Sequence, residues 1–231
     1  MYTSTLVTLG LATLGSAAPT WSSLFGRQNT CVTGNAVYII SARGSTQAVG
    51  EGSLSSVSSL IKQALPGSVS VGLSYPATLD NYESSENTGV VNLKKAITSY
   101  VASCPNSKIV LLGYSQGGQV IGDALGGASF SSEAPLASTY TKNMVAAVSF
   151  ASPAHVAGKS YNTGTSKGSG IYKRASTATL DGYASRLDDI CDSNDLFCDG
   201  GSSLTPHTQV VSKYSSAGAN FAIAKAKAAK V

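Results

Sequence analysis

A serine stands between two glycines in Gly113-Tyr114-Ser115-Gln116-Gly117, at the end of the apolar run KIVLLGY. G-x-S-x-G between a buried strand and a helix forms a sharp turn that lifts the serine oxygen clear of a sheet, and small residues two before and two after let strand and helix pass closely. A serine hydroxyl becomes a useful nucleophile only when a base takes its proton, so a histidine must reach it. The chain has two histidines, His155 and His207. On this kind of turn the order along the chain is serine, acid, histidine. Asp181, Asp188, Asp189, Asp192, Asp195 and Asp199 all precede His207, whereas only Asp123, inside the helix after the turn, and Glu133 lie between Ser115 and His155. The order selects His207 and leaves His155 as a surface or packing residue near the cleft. The acid is narrowed to two residues, Asp192 and Asp195, both within the cysteine-bracketed CDSNDLFC, where a carboxylate would be held rigidly enough to fix the imidazole tautomer.

Such a constellation needs a scaffold that ends strands at a common edge. AVYIIS (36–41), SVSVGLSY (68–75), KIVLLGY (108–114) and MVAAVSF (144–150) read as strands, the last two apolar at successive positions as in parallel sheets covered on both faces. SLSSVSSLIKQAL (53–65), NTGVVNLKKAITSYVASC (87–104), QGGQVIGDAL (116–125) and QVVSKYSSAGANFAIAKAKAAK (209–230) carry helical spacing, the last with a weak point at Gly218. The alternation predicts an α/β fold, a three-layer sandwich on a mostly parallel central sheet, and the serine turn makes it α/β-hydrolase-type. No helical insertion between Ser115 and Asp195 is apolar enough to form a lid domain. Residues 154–185, polar and glycine-rich, read as surface loops.

With 231 residues the chain suits one domain. A net charge of +4 is spread without a basic block, which argues against nucleic-acid or anionic-membrane binding, and Lys225, Lys227 and Lys230 read as the last turns of a helix. LVTLGLATLG, with small residues Gly15-Ser16-Ala17 at its end, reads as an export leader over 1–17, with a short propeptide over 18–27 and a single catalytic domain over 28–231. Four cysteines, Cys31, Cys104, Cys191 and Cys198, agree with an oxidising, extracellular destination. Their spacing, with only two histidines available, is not that of a metal site, so neither metal nor cofactor is expected.

Taken together, GYSQGG, the ARGST segment after the first strand, and CDSNDLFC followed by a histidine nine residues on resemble the cutinase and acetylxylan esterase family of secreted serine esterases. The resemblance runs from Cys31 to the C-terminus. It implies Ser115 as nucleophile, Asp195 as acid and His207 as base, with Ser45 and Gln116 supplying an oxyanion hole and disulfides pairing Cys31 with Cys104 and Cys191 with Cys198. GYSQGGQVIGDALGG, SYPAT and GGSSLTPH are similar to the acetylxylan esterase branch, whereas Leu196-Phe197 and the small cysteine count are similar to cutinases. The expectation is a secreted, monomeric hydrolase of plant cell-wall polymer esters working through an acyl-enzyme. Deacetylation of xylan is favoured, and cutin or short-to-medium acyl ester hydrolysis is the alternative. A non-catalytic wall-binding protein on the same scaffold is the reading from another class; it would have no use for an activated serine.

Overall fold

The computed structural model describes residues 31–231, so the leader and propeptide read from the sequence lie outside the described residues. Six strands, β1 (Val37–Ala42), β2 (Val69–Gly72), β3 (Lys108–Tyr114), β4 (Met144–Phe150), β5 (Asn162–Gly164) and β6 (Leu187–Cys191), form one sheet in the order β2-β1-β3-β4-β6-β5. Every pairing is parallel. The longer helices are α1 (Ser55–Ala64), α2 (Tyr82–Ser103), α3 (Gln116–Gly126) and α6 (Leu204–Ala228), and single turns form α4 (Ser138–Thr141) and α5 (Ala178–Asp181).

Strand alternation divides the core in two. Tyr38, Ile40, Ile109 and Leu111 pack with Val90, Leu93 and Ile97 of α2 and Val120 and Ile121 of α3. Val37, Ile39, Val110 and Leu112 point the other way, against Val57 and Ile61 of α1 and Val210 and Ala222 of α6. Both faces of the central strands are therefore dry, which is why KIVLLGY is apolar at successive positions. α6 runs unbroken through Gly218, where a Cβ would lie 2.7 Å from Phe150 Cζ. The residue read as a weak point is a site of close helix–sheet approach. At the far end of β3, the buried Lys108 Nζ donates to the Ala226 carbonyl at 2.6 Å, a cation on the C-terminal turn of α6.

Three sequence expectations need correcting. The second strand stops at Gly72 rather than Tyr75, because the carbonyls of Leu73, Tyr75 and Pro76 turn to the Arg43 guanidinium. α2 begins at Tyr82 rather than 87; its first turns lack apolar spacing because Ser85 and Glu86 bury polar groups there. The 154–185 segment is more than surface loop: β5 extends the sheet from within it, Ala154, Tyr161 and Leu180 are buried, and β6 follows directly. Between Ser115 and Asp195 the described residues contain no helix beyond α3 longer than one turn.

Candidate active site

The winding of the sheet reverses between β1 and β3, and ligands of such sheets bind beyond the strand C-termini at that point. Ser45 follows β1 and Ser115 follows β3. Ser115 takes φ 54° and ψ −120°, a conformation L-residues avoid, between the last residue of β3 and the first turn of α3. Its N–H donates to the Phe150 carbonyl at 2.8 Å, tying the turn to the adjacent strand. The flanking glycines are sterically required. A Cβ on Gly117 would stand 1.9 Å from the Ala42 carbonyl oxygen, and one on Gly113 would stand 2.5 Å from the Gly117 oxygen.

The turn brings Ser115 Oγ to 2.9 Å from His207 Nε2. His207 Nδ1 lies 3.0 Å from Asp195 Oδ2 and 3.1 Å from Oδ1. Asp195 is wholly buried, and its Oδ1 accepts the N–H groups of Phe197 at 2.8 Å and Cys198 at 2.9 Å, so the charge is satisfied where water does not reach. His207 sits in the first turn of α6, after the Ser203 cap and Pro206. Its ring is held by Phe197 at 4.7 Å and Tyr114 at 5.4 Å between centroids. The Tyr114 hydroxyl donates to the His207 carbonyl at 3.2 Å, and burial, then the Asp195 charge, pushes its pKa up to about 12, so it stays a neutral donor.

The structure separates the two aspartates that the residue pattern left open and puts beside His207 the one that the resemblance implied, Asp195. Asp192 faces away from His207: Oδ2 pairs with Lys213 Nζ at 2.6 Å, and Oδ1 accepts Tyr214 Oη at 2.7 Å and Thr165 Oγ1 at 2.9 Å. Burial opposes its charge, but these partners outweigh burial and hold its carboxyl below the usual range. It braces the loop against α6, while the Cys191–Cys198 disulfide closes the loop from below. The other bridge, Cys31–Cys104, fastens the start of the described chain to the end of α2. His155 is buried rather than superficial, with Nδ1 2.7 Å from Asp189 Oδ2, and takes no part in the Ser115 relay.

Ser45 carries a buried Oγ with no hydrogen-bond partner among the described residues. Gln116 has its side chain fully engaged, Nε2 donating to the Thr78 carbonyl at 3.0 Å and Oε1 accepting from Ser85 Oγ at 2.9 Å. Its backbone N–H is one of the unpaired donors of the first turn of α3, where the helix also favours developing negative charge. The sequence reading missed the residues that shape this wall. Buried Arg43 donates from Nε to the Gln47 carbonyl at 2.9 Å and clamps the 73–76 loop, and Gln47 Oε1 accepts the Gly44 N–H at 2.9 Å. The signal was present in ARGST, but a charged residue by itself gives no sign that it will be buried. Among the described residues no cluster of acidic, histidine or cysteine side chains could hold a metal ion.

Known proteins share this architecture. The family described as Cutinase matches residues 33–226. Acetylxylan esterase 2 of Talaromyces purpureogenus is 32% identical over 82% of this chain and 86% of its own. Cutinase 11 of Verticillium dahliae is 31% identical over 97% of this chain and 77% of its own. Among solved structures, the catalytic core domain of acetyl xylan esterase from Trichoderma reesei superposes with a TM-score of 0.77 at 30% identity, covering 82% of this chain and 98% of that one. The serine turn at the sheet edge and the match along nearly all the described chain agree: the protein belongs to the cutinase family and is a carboxylic ester hydrolase.

Proposed function

We propose that Ser115, His207 and Asp195 act as a catalytic triad that removes acetyl groups from a xylan-type polysaccharide through an acyl-enzyme. The observation that carries this is the unbroken relay from Ser115 Oγ through His207 to buried Asp195, each link at 2.9–3.1 Å. In the first half-reaction Ser115 Oγ attacks the ester carbonyl carbon and its proton passes to His207 Nε2. The carbonyl π pair becomes an oxyanion facing Ser45 and the Gln116 N–H. Collapse expels the sugar alkoxide, which takes the proton from His207 and leaves acetyl-Ser115. Water then gives a proton to His207 and attacks the acetyl carbon; collapse returns the proton to Ser115 and releases acetate. Asp195 stays ionised throughout, stabilising the imidazolium. The chemistry needs no cofactor or metal, and all five residues come from one chain, so the site is complete in a monomer.

Acetylated xylan is favoured because acetylxylan esterases are relatives at 32% and 31% identity. Cutin-type polyester is the second reading, supported by the Cutinase 11 relative, by exposed Leu204 in the first turn of α6 with His207, and by exposed Leu79 next to the Thr78 that holds Gln116. We also propose secretion after loss of residues 1–27, supported by the two disulfides; among the described residues no helix is long and apolar enough to cross a membrane.

A serine-reactive phosphonate separates enzyme from binder. It should label Ser115 in the wild type and nothing in Ser115→Ala, whose kcat should fall by about a millionfold. Folded wild-type protein that resists the probe would remove the triad. Rates on p-nitrophenyl acetate against longer acyl esters, then on acetylated xylan against a cutin-like polyester, decide the substrate.

A further inference from the structure

Three aromatic rings outside the relay, one of them exposed, pack together and are tied to it through Gln119 and Phe197. Tyr82 opens α2, Phe130 lies in the loop after α3, and Tyr172 stands at a turn in the segment after β5. The Tyr172 ring centroid lies 5.3 Å from Tyr82 and 5.2 Å from Phe130, the latter nearly perpendicular. Tyr172 remains 38% exposed and its neighbour Ile171 49% exposed.

The group is fixed in place. Tyr172 N–H donates to the Pro153 carbonyl at 2.9 Å, Ile171 N–H to the Phe197 carbonyl at 2.9 Å, and Lys173 N–H to the Gly170 carbonyl at 3.1 Å. Tyr82 Oη donates to Gln119 Oε1 at 2.9 Å. Two of these ties lead to the relay. Phe197 packs on the His207 ring. Gln119 stands one helical turn after Ser115, with its N–H on the Ser115 carbonyl at 3.2 Å, about 6 Å along the axis of α3. A ring such as Tyr172, tied through its backbone and backed by two others while still 38% exposed, loses little freedom when a flat ligand settles on it.

From this arrangement we infer that Tyr172, backed by Tyr82 and Phe130, is a stacking subsite for a pyranose ring of the polysaccharide whose ester enters at Ser115. The inference rests on the polysaccharide-ester reading of the site. A pyranose with equatorial substituents lays a flat C–H face on an aromatic ring and leaves its hydroxyls in water, which suits a ring open on one side. A fatty acyl chain gains only as it leaves water, and a ring 38% exposed shields it poorly. The subsite lies along the chain from the scissile ester, so it selects for polymer while small esters reach Ser115 without it.

The test compares wild type, Tyr172→Ala and Tyr172→Phe on acetylated xylo-oligosaccharides and on p-nitrophenyl acetate. Tyr172→Ala should raise KM for the oligosaccharide about five- to tenfold and lower Tm by a few degrees through lost ring packing, while leaving p-nitrophenyl acetate kcat/KM unchanged, and Tyr172→Phe should match wild type on both substrates and in Tm. An unchanged oligosaccharide KM, an equal loss on both substrates, or a selective loss on long-chain p-nitrophenyl esters would each overturn the subsite. Should Tyr172→Ala fail to fold, Phe130→Leu carries the same comparison. If the wild type itself leaves acetylated xylan intact, the deacetylation reading fails. The subsite is then judged alone by titrating Ser115→Ala with unacetylated xylohexaose: NMR shifts at the Tyr172 ring support it, and their absence overturns it.

Discussion

Six non-glycine residues among those described take positive φ: Thr46, Ala77, Asn81, Ser115, Ala151 and Asn194. Four of them adjoin a group that shapes the site. Thr46 follows Ser45, Ala77 precedes the Thr78 carbonyl that holds Gln116, Ala151 follows the Phe150 carbonyl that holds Ser115, and Asn194 precedes Asp195. On the proposed mechanism, strain concentrated in this way would hold Ser45, Ser115 and Asp195 in position before substrate arrives. The two loop aspartates give the residue-scale test. Asp195→Asn should lower kcat by about ten-thousandfold, since an amide can present the wrong group to His207 Nδ1. Asp192→Asn should lower Tm while changing kcat by no more than about tenfold, because it braces the loop without touching the imidazole. Steady-state kinetics and thermal melts on both variants check this, and equal kcat losses would return the choice to the sequence-level ambiguity.

At the scale of elements, α3 must leave β3 so steeply that its first turn grazes β1. Gly117 makes that crossing possible, so Gly117→Ala should destabilise by about 3 kcal/mol or more and abolish activity in whatever protein folds. Gly122, five residues on in the same helix, is the control: the nearest atom to its Cβ would be Arg174 Nη1 at 3.8 Å, an ordinary contact. Gly122→Ala should gain up to about 1 kcal/mol from helix propensity, raising Tm by about 2–4 °C. Thermal melts that fail to separate the two would show that α3 and β1 do not cross so closely. The sequence pattern found α3 and β3 readily, because apolar runs and a glycine-flanked turn are local. It did not find the start of α2 or the β5 edge, where buried polar groups and glycines obscure the period.

For the whole molecule, the buried polar cluster behind α3 shapes the response to pH. Glu86 is fully buried, and burial, then the neighbouring Asp123, pushes its pKa up to about 9. Burial pushes the Asp123 carboxyl up as well, but Asp123 has the Arg174 guanidinium and Ser129 to favour its charged form, whereas Glu86 keeps the proton. An unfolded glutamate titrates at about 4.3, and the folded pKa is the higher. Folding therefore favours the protonated form, and this contribution is full below pH about 4.3 and is lost as pH climbs toward about 9. Glu86→Gln should flatten the fall in Tm between pH 5 and pH 9, with little change at pH 5. Melting curves across that range with the wild-type slope would show that Glu86 ionises freely in the native state.

The amino-acid order alone determined the α/β alternation, the serine turn, the preference for His207 and the pool of aspartates, because each depends on local periodicity or on position along the chain. Tertiary structure decided which carboxylate meets the imidazole, that His155 is buried against Asp189, that Arg43 clamps the wall carrying Ser45, and that Tyr82, Phe130 and Tyr172 converge. Those contacts join residues from distant strands and helices, and their distances are set by how the helices seat on the sheet.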